Sequence, residues 1–164
     1  MNTIVRRARV GDVAQIAALI AGYASEGTML AKPAESILLA IDDFIVAVDP
    51  RNRVLACGAL KEYSPSLAEV ASVAVARTAH GRGLGRSIVT AVEALAHQRG
   101  IGEVFALTLT PAFFESVGYA STERSRYPEK VRRDCTSCAR RFACSEVCVW
   151  RSLAVAPMRL VAAA

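Results

Sequence analysis

Between Glu69 and Ser87 the chain reads EVASVAVARTAHGRGLGRS, and this stretch limits what the rest can fold into. Val70 to Ala76 is a valine-rich apolar run, the pattern of a buried strand. His80-Gly81-Arg82-Gly83-Leu84-Gly85 follows, three glycines at alternate positions with an arginine among them. A helical period then takes over, with Leu84, Ile88, Val92 and Leu95 on one face. Strand, glycine-rich turn and helix in that order make a phosphate cradle. Glycines let the backbone approach closely, successive N–H groups point inward, and the helix N-terminus adds its positive dipole end. Arg82 and Arg86 add charge-assisted contacts. The competing reading is a plain strand-to-helix loop with surface arginines, against which the alternation of glycines argues. No Lys-Ser/Thr pair follows Gly85, so this is not a P-loop, and GxGxG midway along a chain is not the dinucleotide fingerprint.

The remaining pattern is that of an α/β layer. Thr3 to Ala8 reads as a first strand; Val13, Ile16, Leu19, Ile20 and Tyr23 then give a helix closed by Gly27. Pro33 opens a shorter helix carrying Ile37, Leu38 and Ile41. Phe44 to Val48 and Val54 to Leu60 are strands joined by the turn Asp49-Pro50-Arg51-Asn52, and Ser64-Pro65-Ser66 turns into the central strand. Beyond the helix over residues 85 to 99, Val104 to Leu109 reads as a buried strand and Ala112 to Val117 as a short helix. Tyr119 begins another strand, and Glu146 to Val155 returns to the sheet. The order is β-α-α-β-β-β-α-β-α-β-β, with no internal repeat.

A chain of 164 residues, 53% hydrophobic and 21% charged, has the material for one globular domain, expected over residues 1–155 with a disordered tail over 156–164. No apolar run reaches bilayer-spanning length and no signal-peptide core follows Met1, so a cytoplasmic location is expected, with no membrane partner. Seven Lys and Arg against three Asp and Glu lie between Ser121 and Arg141, so this segment carries +4 of the formal +5. It lacks interleaved aromatics, which favours a small anionic partner over nucleic acid. Four of the five cysteines cluster beside it as Cys135-x2-Cys138-x5-Cys144-x3-Cys148, leaving two readings: a structural zinc site that pins the basic loop, or reduced thiols. Cys57 reads as core, and His97 as a helix C-terminal cation.

The glycine-rich stretch resembles the acetyl-CoA pyrophosphate loop of the GNAT N-acetyltransferase family, Gln/Arg-x-x-Gly-x-Gly/Ala. Gly83 and Gly85 match it, and His80 occupies the Gln/Arg position. Leu67-Ala68-Glu69-Val70, Leu107-Thr108 with Pro111-Ala112-Phe113-Phe114-Glu115, and Pro128-Glu129-Lys130-Val131 with Asp134-Cys135 are similar to the short, stand-alone N-acetylglutamate synthases of that family. The resemblance runs to about Arg151. It implies the GNAT fold: a mixed central sheet flanked by helices whose two central strands splay around the cofactor arm, here with a Cys-rich basic loop before the last strand.

It further implies acetyl transfer from acetyl-CoA to the α-amine of L-glutamate, the first step of arginine biosynthesis. By the same resemblance His80, Gly81, Arg82, Gly83, Leu84, Gly85 and Arg86 hold the pyrophosphate, backbone groups of Val73, Ala74 and Val75 pair with the pantetheine arm, and Phe114 packs on it. Glu69 is put forward as the base that deprotonates the amine, and Lys32, Ser72, Lys130 and Arg151 as the groups for the acceptor. Two positions depart from the family: Phe114 stands where a phenol is usual, and Ala71 where an arginine is usual. These departures leave open another amine acceptor or a non-catalytic acetyl-CoA or metal sensor. A second copy of the chain is the partner that the family leads one to expect.

Overall fold

The valine-rich run lies in the middle of a seven-stranded sheet. In the computed structural model, which describes residues 2–153, the chain runs β1 (Ile4–Arg7), α1 (Val13–Ser25), α2 (Ala34–Leu39), β2 (Phe44–Val48), β3 (Val54–Ser64) and β4 (Leu67–Val75). It continues as α3 (Leu84–Gln98), β5 (Glu103–Thr108), α4 (Pro111–Ser116), β6 (Ala120–Thr122), α5 (Pro128–Lys130) and β7 (Val147–Ser152). The sheet order is β1-β2-β3-β4-β5-β7-β6, and only β4 and β5 run parallel. The element order is the one the sequence pattern predicts, except for the short helix α5 between the last two strands, which the pattern leaves as loop. The tail expected to be disordered, 156–164, lies outside the described residues, as do the last two positions of the expected final strand.

Two boundaries differ from expectation for physical reasons. β3 runs four residues past Leu60, because Lys61 and Glu62 stay in register with Glu69 and Ala68 and, past an irregularity at Tyr63, Ser64 pairs with Leu67. β6 begins after Tyr119, whose N–H instead closes α4 onto the carbonyl of Phe114 at 3.0 Å.

Helix α3 covers one face of the sheet, its Ile88, Val92 and Leu95 packing with Ala56, Leu60, Val70 and Val104. The other face is covered by α1 and α2, whose Ile16, Ile20 and Ile37 meet Phe44, Val46, Val48 and Cys57. A third cluster sits beyond β5, where Phe105 stacks on Tyr127 at 4.2 Å between centroids, next to Cys148.

β4 carries a bulge. Cys57 pairs with Ala74 and Ala59 with Ala71, so Gly58 faces both Ser72 and Val73, and Ser72 adopts the left-handed φ of 54°. The extra residue reverses the strand's phase: Val70 faces α3 before the bulge, Val73 and Val75 after it. It also accompanies a separation of strands, since β4 pairs with β5 only at Leu67, Ala68 and Glu69. Opposite the bulge, Gly58 has no room for a side chain, as a Cβ would stand 2.5 Å from Cγ2 of the buried Ile88. Gly58→Ala is therefore expected to destabilise the fold by about 1–3 kcal/mol, a fall in Tm of about 2–12 °C at this length. Calorimetry decides it; an unchanged Tm would mean that α3 lifts off the sheet at no cost.

Candidate active site

The splay of β4 from β5 opens a cleft of about 1140 Å³, with the glycine-rich loop at one end and the 128–146 segment at the other. Residues 70–75 of β4 line it, and this edge of β4 has no strand beside it after Glu69.

At the loop end, Gly81 and Gly83 both take φ of 73°, and Gly83 caps α3 without a side-chain bond. The first helical hydrogen bond is donated by Ser87 to the carbonyl of Gly83 at 3.1 Å. Six successive N–H groups, Gly81 to Arg86, thus have no partner among the described residues, which is what an anion site at a helix N-terminus requires. Gly85 is where the wall closes in: a Cβ there would sit 3.2 Å from the ring of Phe113. Arg86 lines the cleft and donates to the carbonyl of Ser116 at 3.0 Å. Beside the loop, Tyr23 Oη donates to the carbonyl of Val75 at 2.6 Å, and His80 Nε2 reaches the same oxygen at 3.0 Å and Tyr23 Oη at 2.9 Å. A proton on Nε2 satisfies both of its contacts.

The opposite end holds a charge network. Glu69, only 5% exposed, stands directly across the ladder from Lys61 and accepts from Lys130 Nζ and Tyr63 Oη, both at 2.9 Å and both on Oε2. Asp134 Oδ2 accepts from Lys61 at 2.7 Å, from Lys130 at 3.0 Å, and from Tyr63 in a shorter contact. Burial works against the charge on Asp134, but bonds from Lys61, Tyr63 and Lys130 outweigh it and hold the carboxyl well below the usual range. Burial, and then the charge of Glu69, push the phenol of Tyr63 far above its ordinary value, so it acts as a donor and not as a base. Lys130 loses to burial but gains more from Glu69 and Asp134, and stays charged.

Lys32 is different. It is half-buried at the cleft wall, 5.9 Å from the Phe44 ring centroid, with no acidic partner among the described residues. Burial, together with repulsion from Lys61, lowers its pKa.

The fold brings most of the residues singled out in the sequence to this cleft: Lys32, Glu69, Ser72, Val73, Ala74, Val75, His80, Gly81, Gly83, Leu84, Gly85, Arg86, Phe114 and Lys130 all line it. Three expectations need correction. Arg82 turns away from the cleft and donates to Thr3 Oγ1 of the N-terminal segment at 3.3 Å. Arg151 points off β7 toward α3, pairing with Glu93 at 3.3 Å and donating to the carbonyl of Val117 at 2.9 Å, and it does not line the cleft. The cysteines do not converge on a metal: no group of three or more His, Cys, Asp or Glu among the described residues could hold one. Cys148 is buried in β7, where burial pushes its thiol up to about 11, while Cys144 accepts from Arg124 at 3.2 Å. Two further points bear on the family's arm-binding pattern. The Val75 carbonyl is already claimed by Tyr23 and His80, and Phe114 is a packing residue, edge-on to Phe113 and Tyr119.

Sequence reading missed Tyr63, Lys61, Asp134 and Arg133. Lys61 and Tyr63 alternate along β3 on the face of Glu69, a signal that period-two inspection finds once β3 is given its full length. Asp134 stands out in the sequence only as part of a motif; beyond Lys130, its partners are 71 and 73 residues away. Arg133 lies over the Tyr63 ring at 5.1 Å.

A sheet split beside a glycine-rich helix start is the arrangement that the resemblance to the GNAT family implies. Residues 17–120 match the acetyltransferase (GNAT) family. The chain is 41% identical over 152 residues to an uncharacterized N-acetyltransferase of Chlorobaculum tepidum, covering 93% of this chain and 97% of the relative. It is 34% identical over 122 residues to the amino-acid acetyltransferase of Mycobacterium tuberculosis, covering 73% and 70% of the two chains. Among solved structures it superimposes on the N-acetylglutamate synthase of Neisseria gonorrhoeae complexed with coenzyme A and N-acetyl-glutamate, with a TM-score of 0.84 and 26% identity. That match takes in 94% of this chain and 36% of the synthase, so the chain spans about a third of that protein. The chain belongs to the GNAT acetyltransferase family. Within it, the chain resembles the short N-acetylglutamate synthases. No helix among the described residues is long and apolar enough to cross a membrane.

Proposed function

We propose that the chain transfers the acetyl group of acetyl-CoA to the α-amine of L-glutamate. The observation that carries this reading is the unpaired, half-buried ammonium of Lys32 in the same cleft as Glu69 and the free N–H groups of residues 81–86. Lys32, Lys61, Lys130 and Arg133 face Glu69, Asp134 and Glu146 around the acceptor end, a net of one positive charge, and glutamate carries a net of one negative charge. A carboxylate beside Lys32 would restore the charge that burial disfavours.

The chemistry follows from the groups present. The acceptor arrives as an ammonium with no lone pair, and Glu69 takes one proton from its nitrogen. The freed pair forms the C–N bond at the thioester carbon, while the carbonyl electrons move to oxygen beside the open edge of β4 around the bulge. The C–S bond then breaks, sulfur leaves with the bonding pair, and the nitrogen loses a second proton, which ends on sulfur by way of solvent.

Purified protein given acetyl-CoA and an equimolar amino-acid panel should yield N-acetylglutamate by mass spectrometry. A different acetylated amino acid would overturn the substrate, and none would overturn the activity.

Lys32 makes a separate prediction. Lys32→Met should raise the KM for the acceptor about 10- to 100-fold and leave that for acetyl-CoA unchanged. The Lys32 pKa is lowered, so kcat/KM for the acceptor falls at pH values below the ordinary lysine range as the ammonium is lost. Lys32→Arg stays charged and should extend the plateau to higher pH; the same alkaline limb in that variant would remove Lys32 from carboxylate binding.

A further inference from the structure

The segment after α5 is wound unusually. Val131–Cys135 forms a π-helical turn, closed by Thr136 N–H donating to the carbonyl of Val131 at 3.1 Å. Such wide turns are frequent at functional sites. Here the turn carries Asp134 into the cleft, where Oδ2 collects Lys61, Lys130 and Tyr63.

Tyr63 has one proton and two carboxylates within reach, Asp134 Oδ2 in the shorter contact and Glu69 Oε2 at 2.9 Å. Asp134 is the nearer acceptor, so the two carboxylates share that proton unequally and Glu69 receives the weaker bond. It also shares Lys130, which would otherwise serve Glu69 alone. Oε1 of Glu69 accepts no hydrogen bond among the described residues. We propose that Asp134 is a positioning residue for acetyl transfer: it holds Tyr63 and Lys130 so that Glu69 is fixed through Oε2 and keeps Oε1 free to take the amine proton. This rests on the reading of Glu69 as the base.

The groups facing Glu69 are Lys61 and Tyr63 from β3, Lys130 and Asp134 from the 128–135 segment, Lys32 ahead of α2, and Cys148 on β7. Removing the charge of Asp134 takes a neighbouring negative charge away and turns both Tyr63 and Lys130 onto Glu69. Both changes favour the ionised form of Glu69 and weaken it as a base.

The test compares Asp134→Asn, Asp134→Glu and wild type, using whichever amino acid the wild type acetylates. Asp134→Asn should lower kcat about tenfold or more, leave the KM for acetyl-CoA unchanged, and move the acid limb of kcat/KM to lower pH. Asp134→Glu should restore most of the rate at the wild-type limb. Asp134→Asn with wild-type kcat and an unmoved limb overturns the proposal, as does a loss confined to KM. The carboxyl ¹³C titration of Glu69, assigned with Glu69→Gln, reads the same link without turnover. A midpoint that falls in Asp134→Asn supports the proposal and an unchanged one overturns it. Absence of turnover in the wild type counts against the proposed function alone, because the titration still decides whether Asp134 acts on Glu69.

Discussion

Glu69→Gln is expected to lower kcat by about 10²- to 10⁴-fold near neutral pH, with little change in the KM for acetyl-CoA. The side chain is isosteric and Lys130 keeps Asp134 as a partner, so the fold should survive; Tm provides the control. Without the carboxylate, transfer must wait for an acceptor that has already lost its proton to solvent. The residual rate should then climb about tenfold per pH unit toward the amine pKa, where wild type is flat. A rate within about threefold of wild type, on an unchanged pH profile, would hand the proton to a water chain and sink the assignment.

Gly83→Val is expected to raise the KM for acetyl-CoA about 100-fold or more while leaving the intrinsic reactivity of bound complexes nearly intact. Space is not the obstacle, since a Cβ at residue 83 meets no atom within 4 Å. The backbone is: φ is 73°, which a β-branched residue adopts only with strain, and relief would rotate the N–H groups at the start of α3 out of alignment. Each charge-assisted bond lost to a phosphate costs about 1.5–3 kcal/mol, so two account for the effect. Gly83→Asn supplies the contrast, because asparagine tolerates the left-handed region and should retain most of the affinity. Calorimetric titration with coenzyme A separates the two variants, and equal affinities for both would mean that the cradle does not depend on this φ.

Local pattern made the elements legible. Valine runs, the helical period after Gly83 and the Pro and Gly breaks place nearly every strand and helix, because each reports on a few neighbouring residues. The run of free N–H groups at the start of α3 was legible for the same reason, being contiguous in sequence. The acceptor end was not. Glu69 meets Lys130 across 61 residues and Tyr63 meets Asp134 across 71, and no local rule says which of 20 Lys and Arg will find which carboxylate. The phase of a side chain on its element defeats inspection too: Arg82 and Arg151 sit in segments that border the cleft, yet one turns to Thr3 and the other to Glu93. Ser72 hides the bulge, since a left-handed turn inside a strand is usually written with glycine. Cysteine spacing left a zinc site and reduced thiols both open because a short repeat says nothing of direction, and β7 takes Cys148 into the core.

Only three of the six residues of β5 have partners on β4. The sheet is therefore held across its middle by three rungs, with the core under α3 running on beneath both halves. A molecule lying in the split and bonding to the bare edge of β4 supplies rungs that the polypeptide does not encode. Such a ligand belongs to the architecture as much as to the chemistry, and the strength of the whole fold becomes a function of its concentration. At one hundred times Kd it adds about 2.7 kcal/mol to the stability of the folded state. For this chain a melting curve is also a gauge of how full its central seam is.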